Sequence, residues 1–176
     1  MKTFLFIILL TFISFTTFSQ EKIEVTKIKA SHRKVYTEII IDASPKEVWA
    51  VLTNFESYKV WSSFFKGMTG EIKNNGKVIT TFQMNPKKDK LARNEHVLLY
   101  NKGKSFGWSD TLLLGIKDNH YFSLEETSNG KTRFIQTDEF KNGATWLLGR
   151  YITNLVRQRY SEFNISLKEE VEKSIH

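Results

Sequence analysis

The sequence predicts an α+β fold, a curved antiparallel sheet of about seven strands wrapped around a long C-terminal helix, with two short helices after the first strand. Three features of the chain carry it. A β-branched run at 35–42 leads directly into Ser44-Pro45, an N-cap followed by proline at the first helical position, with Glu47 three residues after the cap. Six strand-like segments then follow, joined through Asn74-Asn75-Gly76, Lys102-Gly103 and Asn129-Gly130, the residues that tight hairpin turns demand. Last comes a proline-free amphipathic run at 143–171, long enough at 1.5 Å per residue to reach about 40 Å.

Residues 4–15 are apolar apart from Thr11 and Ser14, behind the charge of Lys2, and Thr17-Phe18-Ser19 puts small residues at the usual cleavage positions. The run is short for a membrane span, which needs about 20 apolar residues, and Glu21-Lys22 follows at once. An uncleaved anchor is the other reading. A cleaved signal peptide at 1–19 is favoured, which makes the protein periplasmic or secreted. Residues 20–33 show no clear period and read as a flexible lead-in, so the single folded domain is expected at 34–173. Its first strand is 35–42. Val48, Trp49, Leu52 and Phe55 recur at helical spacing, and the pattern restarts around Phe55, Tyr58 and Trp61 as a second short helix. Strands are expected at 67–73, 77–84, 93–101, 104–113, 120–127 and 131–140. The helix from 143 then covers the sheet's concave face.

The chain of 176 residues has no cysteine, so disulfides, thiolate metal sites and cysteine nucleophiles are excluded. The formal charge of +7 raises nucleic acid and anionic membrane as partners. The lysines are scattered, and the densest basic run, 86–93, reads as a solvated loop. With export, nucleic acid is not expected; transient contact with an anionic membrane surface stays open. There is no phosphate loop, dinucleotide fingerprint or zinc spacing, so neither a cofactor nor a metal is expected. A monomer is expected.

The stretch Ile39-Ile-Ile-Asp-Ala-Ser-Pro-Lys-Glu-Val-Trp-Ala-Val-Leu-Thr-Asn-Phe-Glu-Ser-Tyr-Lys-Val-Trp61 resembles the opening of the START-like superfamily, also called Bet v 1-like, SRPBCC or polyketide cyclase-like. His120-Tyr-Phe-Ser-Leu-Glu, Gly130-Lys-Thr-Arg-Phe-Ile-Gln-Thr-Asp-Glu-Phe140 and Asn164-Ile-Ser-Leu-Lys168 resemble the small bacterial SRPBCC proteins. The resemblance implies a helix-grip arrangement with a ligand cavity between sheet and last helix, and Trp61 resembles the family tryptophan near the cavity mouth.

Several residues are candidates for lining such a cavity. If Asn129-Gly130 form a two-residue turn, His120 faces Glu139, Phe122 faces Thr137 and Leu124 faces Ile135 on the more apolar sheet face, with Gln136 and Asp138 on the solvent face. His120 and Glu139 would then be a polar pair, either a structural hydrogen bond or a proton-transfer couple; structure is favoured. Trp108 alternates with Phe106 and Asp110 onto one face, as cavity lining or plain core. On the last helix Leu148, Ile152, Leu155, Val156, Tyr160, Phe163 and Leu167 form an apolar face opposite a polar stripe that includes Arg150, Arg157 and Asn164. Arg159 falls within the apolar face. It would bind the acid end of an amphiphile, pair with Glu139 or Asp110, or snorkel outward. The expected function is binding of a hydrophobic or amphipathic small molecule through Trp61, Trp108, His120, Phe122, Glu139, Leu155, Arg159 and Phe163. The alternatives are a cyclase or aromatase on a polyketide-like substrate, and an interaction module with a collapsed cavity.

Overall fold

A computed structural model describes residues 21–83 and 90–175. The expected leader at 1–19 and half of the basic run at 86–93 lie outside the described residues. In chain order the elements are β1 (Lys22–Lys29), β2 (His32–Ile41), α1 (Pro45–Leu52), α2 (Tyr58–Trp61), β3 (Phe65–Gly70), β4 (Lys77–Phe82), β5 (Ala92–Val97), β6 (Leu99–Asn101), β7 (Ser105–Thr111), a 3-10 turn (Leu113–Gly115), β8 (Lys117–Glu126), β9 (Thr132–Lys141) and α3 (Thr145–Ser174). Every strand pairing is antiparallel. One sheet runs β1-β2-β9-β8-β7-β6 and the other β3-β4-β5. The α+β architecture, a curved sheet gripping the last helix, is as the sequence predicts.

Local chemistry explains the entry to α1. Glu47 N–H donates to Ser44 Oγ at 3.4 Å while Ser44 N–H donates to Glu47 Oε2 at 2.8 Å, a reciprocal capping box with Pro45 behind it. Val48, Trp49 and Leu52 are thereby turned inward. On β2, Val35, Thr37, Ile39 and Ile41 are buried and alternate with more exposed residues, the period of a half-buried strand.

The sequence reading needs correction at four places. The lead-in is not a structureless tail: 22–29 pair with β2 along the edge of the sheet, from Lys22 opposite Glu38 to Lys29 opposite His32. Ile23 and Val25 do alternate with charges, but every residue of β1 is exposed, so no buried face announces the strand. The single strand expected at 93–101 is two, because buried Leu98 gives its N–H to Gly76 O and its C=O to Asn75 N–H. The last hairpin closes through three residues, 128–130, with Gly130 at φ 75 and Thr127 N–H donating to Lys131 O at 2.8 Å. That third residue slips the register by one and moves every side chain of β9 to the other face from the one expected. His120 therefore lies opposite Asp138, Phe122 opposite Gln136 and Leu124 opposite Phe134.

The fourth correction concerns α3. Its first half approaches the sheet most closely through Thr145, Gly149 and Thr153, while Leu148, Ile152 and Val156 of the expected apolar face are only partly buried against the core. A Cβ at Gly149 would stand 2.8 Å from Arg33 Cδ on β2, so the missing side chain is what allows the close approach. Leu147, Tyr151 and Leu155 consequently face outward. Further along, Tyr160, Phe163, Leu167 and Val171 enter the core, and Asn164, expected on the water side, is fully buried among them.

Between α3 and the sheets sits one aromatic cluster. Phe65 stacks on Phe82 at 5.0 Å and Phe106 on Phe122 at 4.7 Å, while Phe163 contacts Tyr58, Trp61, Phe122 and Phe134 within 5.3–6.2 Å. These rings line the region between the sheets and α3. Two grooves open elsewhere on the surface, one beside Phe55, Lys66 and Met68, the other beside Lys77, Ile79 and His96.

Candidate functional site

Within that aromatic interior the structure gathers a small set of polar groups. On β8, His120 Nε2 lies 2.8 Å from Gln136 Oε1 on β9. Gln136 Nε2 donates to Asn164 Oδ1 on α3 at 2.9 Å, and Asn164 Nδ2 donates to Thr37 Oγ1 on β2 at 2.9 Å and to Glu21 Oε1 at 2.6 Å. Because Gln136 spends its amide N–H on Asn164, its oxygen faces the imidazole and the His120 proton sits on Nε2. Burial pulls the His120 pKa down to about 4, against the opposing pull of Asp118 and the Gln136 bond. The ring is neutral at neutral pH. It stacks on Tyr160 at 4.6 Å and meets Trp108 edge-on at 5.1 Å.

A carboxyl pair stands beside it, Asp138 directly across from His120 and Asp118 two residues before His120 on β8. Tyr160 Oη donates to Asp138 Oδ2 at 2.5 Å. Burial first, then the charge of Asp118 and a hydrogen bond with it, push the Asp138 carboxyl well above the usual carboxylate range. Neither Asp138 Oδ1 nor Asp118 Oδ1 has a donor in good hydrogen-bond geometry, and the pull of the Asn119 N–H on Asp138 is the smallest of those acting on it. A proton held by Asp138 and directed at Asp118 supplies both, as in any two carboxylates too close to ionise together. Beyond them His96 stacks on Trp108 at 5.2 Å, hydrogen-bonds Thr80 Oγ1 at 2.8 Å and faces Asp110 at 3.7 Å; burial lowers its pKa despite Asp110.

The candidate residues separate cleanly. Trp108, His120, Phe122 and Phe163 come together in the interior, and Trp61 sits at its rim, packed on Tyr58 at 4.5 Å and Phe163 at 5.3 Å. Glu139 does not join them. The register slip places it on the outer sheet face, where Lys141 at 2.5 Å and then His32 at 3.2 Å hold its carboxyl below its ordinary pKa. Leu155 faces outward. Arg159 lies at the edge and is paired with neither Glu139 nor Asp110: its guanidinium donates to Glu162 Oε2 at 2.8 Å, and Ser63 beyond α2 donates to the same oxygen at 3.2 Å. The pair Arg159–Glu162 with Ser63 thus closes the seam between α2 and α3 beside Trp61.

Gln136, Asp138 and Asn164 were missed as interior groups. Phe134 and Phe140 carry the signal that finds the first two: they share strand parity with Gln136 and Asp138 and, being large and apolar, mark that side as inward. Among the described residues no cluster of three or more histidine or acidic side chains has the arrangement to hold a metal ion. Chemically, the interior offers a neutral imidazole, a protonated carboxyl, a phenol and two amides inside an apolar wall.

A two-layer fold in which a curved sheet grips a long helix and presents a few polar groups in an aromatic interior defines the START/Bet v 1-like class. Three solved structures share it: the Zhui aromatase/cyclase from a Streptomyces species (TM-score 0.64, 12% identity, 82% of this chain and 96% of that one), a START superfamily protein from Mycobacterium smegmatis (0.61, 16%, 80% and 97%), and the protein TTHA0849 from Thermus thermophilus (0.60, 13%, 80% and 98%). The chain belongs to the family described as polyketide cyclase / dehydrase and lipid transport, whose pattern matches residues 32–172. No curated protein matches it by sequence.

Proposed function

We propose that the protein is an exported binding protein for a hydrophobic or amphipathic small molecule, taken up through the α2–α3 seam into the space between sheet and α3. One observation carries this reading. The aromatic interior runs without a break from Trp61 at the rim, through Phe163 and Phe122, to the polar groups around His120. An apolar path ending in a few fixed hydrogen-bonding groups is the composition of a small-molecule site. Entry requires Trp61 and the Ser63–Glu162–Arg159 link to move aside, and a ligand carboxylate then takes the place of Glu162 on Arg159.

Arg159→Leu tests the assignment by titration calorimetry with a long-chain fatty acid and its alcohol. Glu162 keeps its Ser63 contact and the fold is retained. Loss of one charge-assisted bond weakens the acid by about one to two decades and spares the alcohol. Equal affinity of both proteins for the acid removes Arg159 from the site, and no binding of either amphiphile by the wild type overturns the ligand class.

A second reading, an enzyme of cyclase or aromatase type, draws on the neutral His120 beside Tyr160, an acid–base couple within an aromatic wall. Turnover lost in His120→Gln with ligand affinity retained would favour it.

A further inference from the structure

At the end of the main sheet opposite the Trp61 rim, large apolar side chains stand in water. Leu113 is 80% exposed, Leu114 59%, Trp146 66%, Leu147 61% and Tyr151 70%. Chain geometry brings them together. Ala144 N–H donates to Leu114 O at 3.1 Å, so the 3-10 turn lies against the start of α3, and Gly143 abuts Gly115 so closely that a Cβ there would meet its carbonyl carbon at 2.3 Å. Leu114 is held at φ 61, a left-handed conformation that costs a non-glycine residue of order 1 kcal/mol or more. A fold that only needed a turn there would use glycine or asparagine.

Cations outnumber carboxylates around this patch. The β1–β2 turn, tied in by Asn142 N–H to Ser31 O, brings Lys29 and Arg33; the strand ends bring Lys117 opposite Lys141; and Arg150 follows one turn into α3. The carboxylates nearby are fewer and each has a neighbour of its own: Glu139 is shared by Lys141 and His32, Asp110 lies beside His96, and Asp118 bonds the Asp138 carboxyl. Exposed Trp, Tyr and Leu ringed by Lys and Arg is the composition that seats a protein at the interface of an anionic bilayer, the rings at headgroup depth and the cations on lipid phosphates.

We propose that this end of the molecule, Leu113-Leu114 with Trp146, Leu147 and Tyr151, docks on an anionic lipid surface. The patch is distinct from the Trp61 rim, where Val60 is also exposed but lies beside the Phe163 turn, about 24 Å along α3 from Leu147. The proposal does not depend on the interior ligand.

Sedimentation with vesicles of phosphatidylcholine, alone or mixed equally with phosphatidylglycerol, tests it on the purified full chain and its variants, so that any contribution of residues 4–15 is common to all. The wild type is expected to partition onto the mixed vesicles, less at high salt, and not onto phosphatidylcholine alone. Trp146→Ser and Leu147→Ser, both on an exposed helix face that the core does not use, each lower the partition coefficient about tenfold. Arg150→Gln lowers it only on the mixed vesicles, and Val60→Ser leaves it unchanged. Near-UV circular dichroism checks that each variant is folded. Absence of wild-type binding to either vesicle overturns the proposal. So does equal binding by Trp146→Ser and Leu147→Ser, which would leave charge alone, or a wild-type dimer that Leu147→Ser turns into a monomer, which would assign the patch to a second copy.

Discussion

Two buried titratable groups respond to pH in opposite directions. The folded pKa of His120, about 4, lies below the ordinary histidine value, so the unfolded chain takes up a proton first as pH falls. Its contribution to stability is present above about pH 6.5 and lost toward pH 4, at most roughly 3 kcal/mol. His120→Gln removes that sensitivity, and urea melts at pH 7 and pH 4.5 should show variant and wild type converging as pH falls; a constant gap would mean that the imidazole is charged in the folded state. Asp138 behaves in reverse. Its raised carboxyl is protonated when folded, so stability falls as pH rises from the unfolded carboxylate value toward the folded one. Asp138→Asn keeps an acceptor for Tyr160 and a donor for Asp118, and should gain on the wild type between pH 4 and pH 7 in the same melts. The sequence marked His120, Trp108, Phe122 and Phe163 because large apolar neighbours share their strand or helix face. It misplaced Glu139 and overlooked Asp138 because a carboxylate looks like a surface group until the turn that sets its parity is known.

Elements were legible in proportion to how local their causes are. The Ser44–Glu47 box and Pro45 fix the start of α1 within four residues of chain. Ser44→Ala should cost about 1 kcal/mol in thermal or urea unfolding while leaving lipid partition unchanged; no loss would show the cap to be redundant with Pro45. Hairpin positions were also legible, since Asn-Gly and Lys-Gly sit in the turns. Register was not. Two-residue and three-residue loops use the same glycine, and only the Thr127–Lys131 bond, made after the strands meet, distinguishes them. In α3 the helical period was right and most of the expected apolar face packs inward, but Leu155 is left outside and the closest approach to β2 is made by Gly149 and two threonines, where leucines would not fit.

For the whole molecule, order of elements and the length of α3 were enough to predict a sheet gripping a helix. Whether the interior is open was not readable, because ring-on-ring packing is decided by contacts between residues far apart in the chain. Export, proposed from the short apolar run, has a direct check: the intact mass of secreted protein should correspond to a chain beginning at Gln20, and recovery of the uncut chain in a membrane fraction would refute it. That boundary differs from the one the family pattern suggests, and β1 makes the difference matter. A chain trimmed to residues 32–172 would lack β1 altogether, leaving the β2 backbone from His32 to Glu38 unpaired along an open sheet edge and Asn164 without Glu21. Bare edges recruit other strands. The trimmed chain should therefore aggregate by edge-to-edge pairing where the chain from Gln20 stays dispersed, so the most exposed strand of the fold, which contributes little to its core, acts as the guard on its solubility.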